Sequence, residues 1–493
     1  MRKIRGVAVM LGTVLLLVAL PACGKKTNEA ARAAGITPAT ALGFLSVSLD
    51  PSVEQKRNLL SIARRFPDAE AKDDFEASRD ELLSSILEEA GLDYEKDVKP
   101  WLGSELAIAV LPGSPGPEPR VAVLIEQDDE DKAKAALDKA NARAQADGTP
   151  PIAYRLVDDF VVATTGDDAA VAQQTLDAFA GQADGDEGDL SASREFSEVV
   201  DELHGDRLLL GWIDGKDALA VLSEFVDSSE FPLESMLQQA VPTAFDVHAA
   251  NSALVMEAVA RSTVEAADGK PELTEGLPAG SFGAFTVFDA KKVLGDALRA
   301  VVGTGDDPLE EFREQTGLDL ERDVLSWMGG ESVLVASPAG AGQGFPDMGF
   351  VVEPTDRAAA EAALPKIQDA LAELRRQSEG MDVAAGLFED RFVIASTQAF
   401  MERLAKDATP SFGESDAYRS VLGESSSDAT RTQLVLDVDA IRETLERLLL
   451  DDDDDRAQYE RDTKPDVEPL DAVGFVLHRD GGFDRAELKV TFD

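Results

Sequence analysis

The residues best equipped for chemistry in this chain are two tryptophan–carboxylate sets, Trp101-x-Gly103-x-Glu105 and Trp327-x-Gly329-x-Glu331, and three histidines, His204, His248 and His478. An aromatic wall beside a carboxylate suits a small ligand pocket. The same residues suit a helix-to-strand turn whose indole fills the core and whose carboxylate accepts backbone hydrogen bonds. Two copies of the set favour the packing role. The histidines need a second His or a carboxylate at ligand spacing to hold a metal; none is found beside them and no HExxH occurs, so no metal role is assigned. Gly113-Ser114-Pro115-Gly116 and Gly280-Ser281-Phe282-Gly283 do not have the Gly-x-Ser-x-Gly spacing of a serine nucleophile. Gly340 to Gly344 is followed by no Gly-Lys-Ser/Thr and reads as a turn. The run Asp451 to Asp455 lacks the spaced ligands and glycine of a calcium loop and reads as a solvated loop. No catalytic, cofactor-binding or metal residue is assigned, and the chain reads as a non-enzyme.

The chain has one cysteine, Cys23, so a disulfide within it is impossible. Arg2, Lys3 and Arg5 precede an apolar run from Val7 to Leu20, the length of a secretory h-region and too short to span a bilayer. The run ends in Leu20-Pro21-Ala22-Cys23, which resembles the lipobox of bacterial lipoproteins. The resemblance implies cleavage after Ala22, a diacylglyceryl thioether on Cys23 and acylation of the new amino terminus, palmitate being one such acyl group. Two acyl chains anchor stably where one is marginal. Residues 1–22 are therefore expected to be a signal peptide and 23–36 a lipidated, flexible tether. The body would lie on the extracytoplasmic face of the cell membrane.

Composition narrows the partners. The chain carries 95 acidic against 47 basic residues, a net charge of −48. Phosphate recognition needs clustered Lys and Arg, which argues against nucleic acid. The same charge repels anionic headgroups, so membrane attachment must be covalent or apolar. With 44% hydrophobic residues the chain can bury real cores.

The elements that position these residues come twice. Gly91-Leu92-Asp93-Tyr94-Glu95-Lys96-Asp97-Val98-Lys99-Pro100-Trp101-Leu102-Gly103-Ser104-Glu105 returns as Gly317-Leu318-Asp319-Leu320-Glu321-Arg322-Asp323-Val324-Leu325-Ser326-Trp327-Met328-Gly329-Gly330-Glu331, identical at nine of fifteen positions. Gly91 is placed to end the preceding helix, Asp93 to cap a short helix carrying Val98 and Trp101, and Gly103 to turn the chain into a strand at Glu105. Other pairs keep the same order: Pro38 with Pro278, Gly43 with Gly283, Glu126 with Glu353, Phe160 to Thr165 with Phe392 to Thr397, and His248 with His478. Such collinearity is the mark of a duplicated domain.

Each copy reads β-α-α-β-β-α-β-β-α-β-α-β-β from its hydrophobic periods and turn residues. Hairpins dominate. The expected fold is α+β: a tandem duplication of mainly antiparallel sheets with helices packed on one face of each unit. The first unit is expected over 37–266, a polar linker over 267–275 and the second unit over 276–493.

The lipobox, the duplicated Trp-x-Gly-x-Glu after Gly-Leu-Asp and the extended start after Pro38 together resemble the bacterial domain-of-unknown-function family 3352. The resemblance implies a location and a fold, and no activity. The leading functional reading is a non-catalytic, lipid-anchored envelope lipoprotein whose duplicated domain binds an envelope protein or ligand. The competing readings are a carrier for an apolar ligand such as lipid and a carboxylate-dependent envelope hydrolase.

Overall fold

Short runs rich in Val, Ile, Phe and Ala, punctuated by Gly, Asn and Asp, recur in one order twice along the chain, and each run forms a strand. The computed structural model describes residues 31–66, 75–89, 93–113, 119–148, 150–164, 168–183, 188–215, 241–263, 267–292, 313–314, 316–339, 345–377, 382–423, 425, 427–449 and 453–493. Two compact units result, Met1–Arg261 and Ser262–Asp493.

In the first unit the strands are β1 (Gly43–Ser48), β2 (Leu102–Leu111), β3 (Arg120–Gln127), β4 (Ala153–Val157), β5 (Phe160–Thr164), β6 (Leu209–Ile213), β7 (Thr243–Ala250) and β8 (Ala253–Arg261). They lie in the order β8-β7-β6-β1-β2-β3-β5-β4, every neighbour antiparallel. The second unit has β9 (Gly283–Phe288), β10 (Glu331–Ser337), β11 (Asp347–Val352), β12 (Ala384–Leu387), β13 (Phe392–Ala395), β14 (Thr430–Asp437), β15 (Leu470–Asp480) and β16 (Phe483–Phe492). Its order is β16-β15-β14-β9-β10-β11-β13-β12, again antiparallel throughout. Strand for strand, the second unit repeats the first.

The repetition extends to irregular backbone. Pro38 bridges Asp189 and Pro278 bridges Ser411. The N–H of Leu190 donates to Thr37 O at 2.7 Å, and that of Phe412 to Leu277 O at 2.6 Å. Backbone matches outside regular elements follow from common descent, since no period or propensity dictates them.

The α+β class and the duplication hold, but helices cover both faces of each sheet, not one. On β13, Phe392 and Ile394 pack with Trp327 and with Ala360 and Ile367 of helix Arg357–Gln377. Val393 and Ala395 point oppositely, toward Phe400 and Leu404 of helix Gln398–Leu404 and Tyr418 of helix Asp416–Val421. In the first unit, Val161 joins Trp101 and helix Glu130–Asp147, while Phe44 and Trp212 hold Phe196 of helix Arg194–Val200 on the other face. The reason lies in strands paired on both sides: Val161-Val162 and Val351-Val352 are fully buried, and such strands are apolar on both faces.

Two boundaries also move. Residues 32–36, expected in the tether, belong to the first unit as a 3-10 helix, Arg32–Gly35, with Ala33 and Ala34 wholly buried. The expected linker 267–275 contains helix Glu272–Glu275, whose Leu273 packs into the second unit's core, and Gly269 bridges Thr430. Short apolar stretches in polar surroundings carry too little period to be recognised as core. Residues 1–30, with Cys23 and the expected signal peptide, lie outside the described residues, as does the helix expected over Asp217 to Phe225.

Candidate functional site

The duplicated segment builds the same turn twice. Gly91 lies outside the described residues; its counterpart Gly317 has φ +71, the left-handed position that glycine takes past a helix end. Asp93 and Asp319 cap five-residue π-helical turns, Tyr94–Val98 and Leu320–Val324, by accepting the N–H of Lys96 at 3.2 Å and of Arg322 at 2.9 Å. Asp97 and Asp323 answer by accepting the N–H of Asp93 at 3.1 Å and of Asp319 at 3.0 Å. This reciprocal capping satisfies donors at both ends of the first turn.

The indoles are pinned by the same turns. Nε1 of Trp101 donates to Asp97 O at 2.6 Å, and Nε1 of Trp327 to Asp323 O at 3.0 Å. Trp101 is 3% exposed and Trp327 1%. Trp327 also stacks obliquely on Phe392, with centroids 4.6 Å apart. Lys139 reaches Asp97 at 2.6 Å and Lys366 reaches Asp323 at 2.8 Å, so the following long helix clips onto each turn. Hydrogen bonds from Arg322 and then Lys366 hold the Asp323 carboxyl well below the usual carboxylate range.

Glu105 and Glu331 face inward. Glu331 is 2% exposed and accepts the N–H of Leu273 at 2.8 Å, the N–H of Thr274 at 2.9 Å and the hydroxyl of Thr274 at 2.7 Å. Glu105 accepts the N–H of Ala33 at 3.3 Å and the Ser46 hydroxyl at 2.7 Å. Each carboxylate therefore fills the N-terminus of the short helix that leads into its own unit. Burial pushes the Glu105 carboxyl up, and it pushes Glu331 up to about 7. Beside Glu105, Glu126 accepts the N–H and hydroxyl of Ser104 at 2.9 and 2.7 Å and pairs with Arg32. The donors around both glutamates come from the protein itself, and each set serves packing.

Gly103 has a different role from the expected turn. It lies within β2, where an added Cβ would meet the backbone carbon of Glu126 at 2.9 Å. The glycine is needed for close approach of β3. In the second unit a Cβ added at Gly329 would meet the Thr355 side chain, and one added at the adjacent Gly330 would meet Glu353 O at 2.6 Å.

The remaining candidates separate cleanly. Ser281 is buried and its hydroxyl bonds Ser337 at 2.9 Å. Ser114 and Gly340 to Gly344 lie outside the described residues, as do Asp451 and Asp452. The other aspartates of that run open helix Asp453–Asp462, so a helix replaces the expected loop there. His478 is half-buried, pushed below its ordinary value by burial, and its Nδ1 has no hydrogen-bond partner among the described residues.

His248 does have the carboxylate partners that the sequence reading finds missing. Asp246, two residues earlier on β7, places Oδ1 3.0 Å from His248 Nδ1. Glu257 stands opposite Asp246 on β8. His204 stacks on His248 with centroids 4.3 Å apart, and the His204 backbone N–H donates to Glu257 at 3.1 Å. The signal was present in the sequence as Asp-x-His on a strand, where residues two apart share a face.

Among solved structures the chain is similar to one described as crystal form I of TP0453, at 10% identity and a TM-score of 0.25, covering 48% of this chain and 80% of that one. A likeness that weak supports no inference about fold or role. Comparison with curated proteins returned no match. The sequence profile of one family matches residues 4–155 and 296–452, one region in each half and together well over half the chain. The chain accordingly belongs to the family described as Protein of unknown function (DUF3352).

Proposed function

We propose that this protein is a non-catalytic lipoprotein of the cell envelope, moored through acyl chains on Cys23, whose duplicated α+β body serves as a binding scaffold. The observation that carries the reading is Leu20-Pro21-Ala22-Cys23 behind a basic, apolar leader, with the thiol at the one position where lipid transfer requires it. Among the described residues no helix is long and apolar enough to cross a membrane. The non-catalytic part rests on the use made of the most conspicuous residues. Trp101, Trp327, Glu105 and Glu331 spend their polar atoms on their own backbone or on neighbouring hydroxyls.

The test is fractionation of cells making the full chain or its Cys23→Ser variant, with a radiolabelled palmitate feed. The wild type should take up label and sediment with membranes, and the variant should do neither. An unlabelled wild type, or a variant that stays with the membranes, would overturn the anchor.

A further inference from the structure

We propose that Asp246, His248 and Glu257 form a binding site for a divalent transition-metal ion of the zinc class, present in the first unit and absent from the second. The three ligand atoms lie within 4.8 Å of one another. The topology explains their convergence: Asp246 and His248 are two apart on β7, and Glu257 is directly opposite Asp246 on β8. Facing positions of an antiparallel pair bring Cβ atoms about 5 Å apart. Three side chains on one hairpin can thus meet at a point.

Two features distinguish this group from ordinary surface acid. Asp246 is 0% exposed, and its Oδ2 has no hydrogen-bond partner among the described residues. A buried carboxylate oxygen left unpaired costs free energy unless a cation or donor meets it. Second, the Asp246 Oδ1 to His248 Nδ1 separation of 3.0 Å needs to open by only a few tenths of an ångström to reach the ~3.3–3.4 Å edge of a tetrahedron with metal bonds of about 2.0–2.1 Å. His204 supports the arrangement from outside by covering the His248 ring and donating its backbone N–H to Glu257. Ligating carboxylates are commonly held by such hydrogen bonds.

The donor set selects the ion. One imidazole nitrogen and two carboxylate oxygens suit Zn²⁺ and its neighbours, whereas Mg²⁺ and Ca²⁺ prefer oxygen alone. Arg207, whose field reaches Asp246, is the nearby positive group. Two carboxylates still outweigh one guanidinium. In the second unit His478 and Glu487 occupy the matched positions, but Val476 stands where Asp246 does, paired across the hairpin with Glu487. That copy lacks the central ligand.

The experiment is equilibrium dialysis of the detergent-solubilised full chain, stripped by chelator, against Zn²⁺ with excess Mg²⁺ to occupy diffuse acidic sites. One Zn²⁺ should remain per chain. His248→Gln and Glu257→Gln should each weaken retention at least about tenfold, the scale at which even outer-shell changes act. His478→Gln should leave it unchanged. Co²⁺ in place of Zn²⁺ should give visible absorption bands that Glu257→Gln abolishes. If His248→Gln fails to fold by circular dichroism, the half-buried Glu257 decides the matter alone. No retained Zn²⁺ in the wild type, or undiminished binding in folded Glu257→Gln, would overturn the site.

Discussion

Glu331 sets two opposing effects against each other, and the pH dependence of stability tells which wins. Three hydrogen bonds favour its carboxylate, while burial and the nearby Glu353 favour its acid. Burial prevails, raising the group from an ordinary 4.5 to about 7. Between those values the unfolded chain has released the proton and the folded chain still holds it. The folded state binds more protons, so its stability is greatest below 4.5 and declines as pH rises toward 7. At ~1.4 kcal/mol per pH unit, the gap limits the decline to about 3 kcal/mol. Glu331→Gln cannot ionise, so the wild type should lose about 3 kcal/mol relative to it across this window. The assay is urea denaturation of the full chain at stepped pH, read by Trp327 fluorescence with Trp101 and Trp212 replaced by Phe. Taking the difference removes every other titration not coupled to this residue. A flat difference would refute the argument. A wild type that gains stability relative to Glu331→Gln as pH rises would show that the donors overcome burial.

Three further expectations concern the turn. Gly103→Ala and Gly330→Ala each push a methyl into opposing backbone and should cost about 1–3 kcal/mol by chemical denaturation. Gly317→Ala meets no atom but must hold φ +71, so its cost should be nearer ~1 kcal/mol by the same measurement. Trp101→Phe keeps most of the packing and loses the bond to Asp97 O, costing ~1 kcal/mol, whereas Trp101→Ala should cost ~3–5 kcal/mol; a Trp101→Phe protein as stable as the wild type in a melting series would deny the indole its hydrogen bond.

What the sequence revealed follows the range of each interaction. Asp93, Asp319 and the tryptophans bond within four residues, so their spacing alone announced the capped turn. Glu105 and Glu331 find donors 72 and 58 residues upstream, in segments too short to show a period, and those segments were assigned to tether and linker. Helices on the second face leave no such mark, because residues such as Val162 and Val351 announce burial without saying what buries them. Asp246 and His248 were individually visible, but Glu257 joins them only through the β7–β8 register, which turn length and packing fix together.

The two copies also separate what the fold requires from what it merely tolerates. Both keep the capping aspartates, the anchored indole and the glutamate seated on a short helix. Only the first keeps an aspartate at position 246; the second fills the matched place with Val476, 0% exposed and packed among Tyr418, Val421 and Val435. An apolar side chain therefore satisfies the architecture at this place on the strand, and the unpaired Asp246 oxygen is a burden carried by one copy alone. Local cost without a structural return is expected at functional sites. The consequence is measurable. Asp246→Val makes the first unit resemble the second, and in chelator it should stabilise the protein by about 1–3 kcal/mol, the cost of an unsatisfied buried polar group. His248 would lose a hydrogen bond that His478 Nδ1 already lacks among the described residues of the other copy, and Arg207→Met is made in both proteins compared so that no buried guanidinium is left facing the lost charge. Added Zn²⁺ should then raise the melting temperature of the wild type and leave the variant unmoved. A variant clearly less stable than the wild type in chelator would show that Asp246 serves the fold, and the case for divergence between the copies would fail.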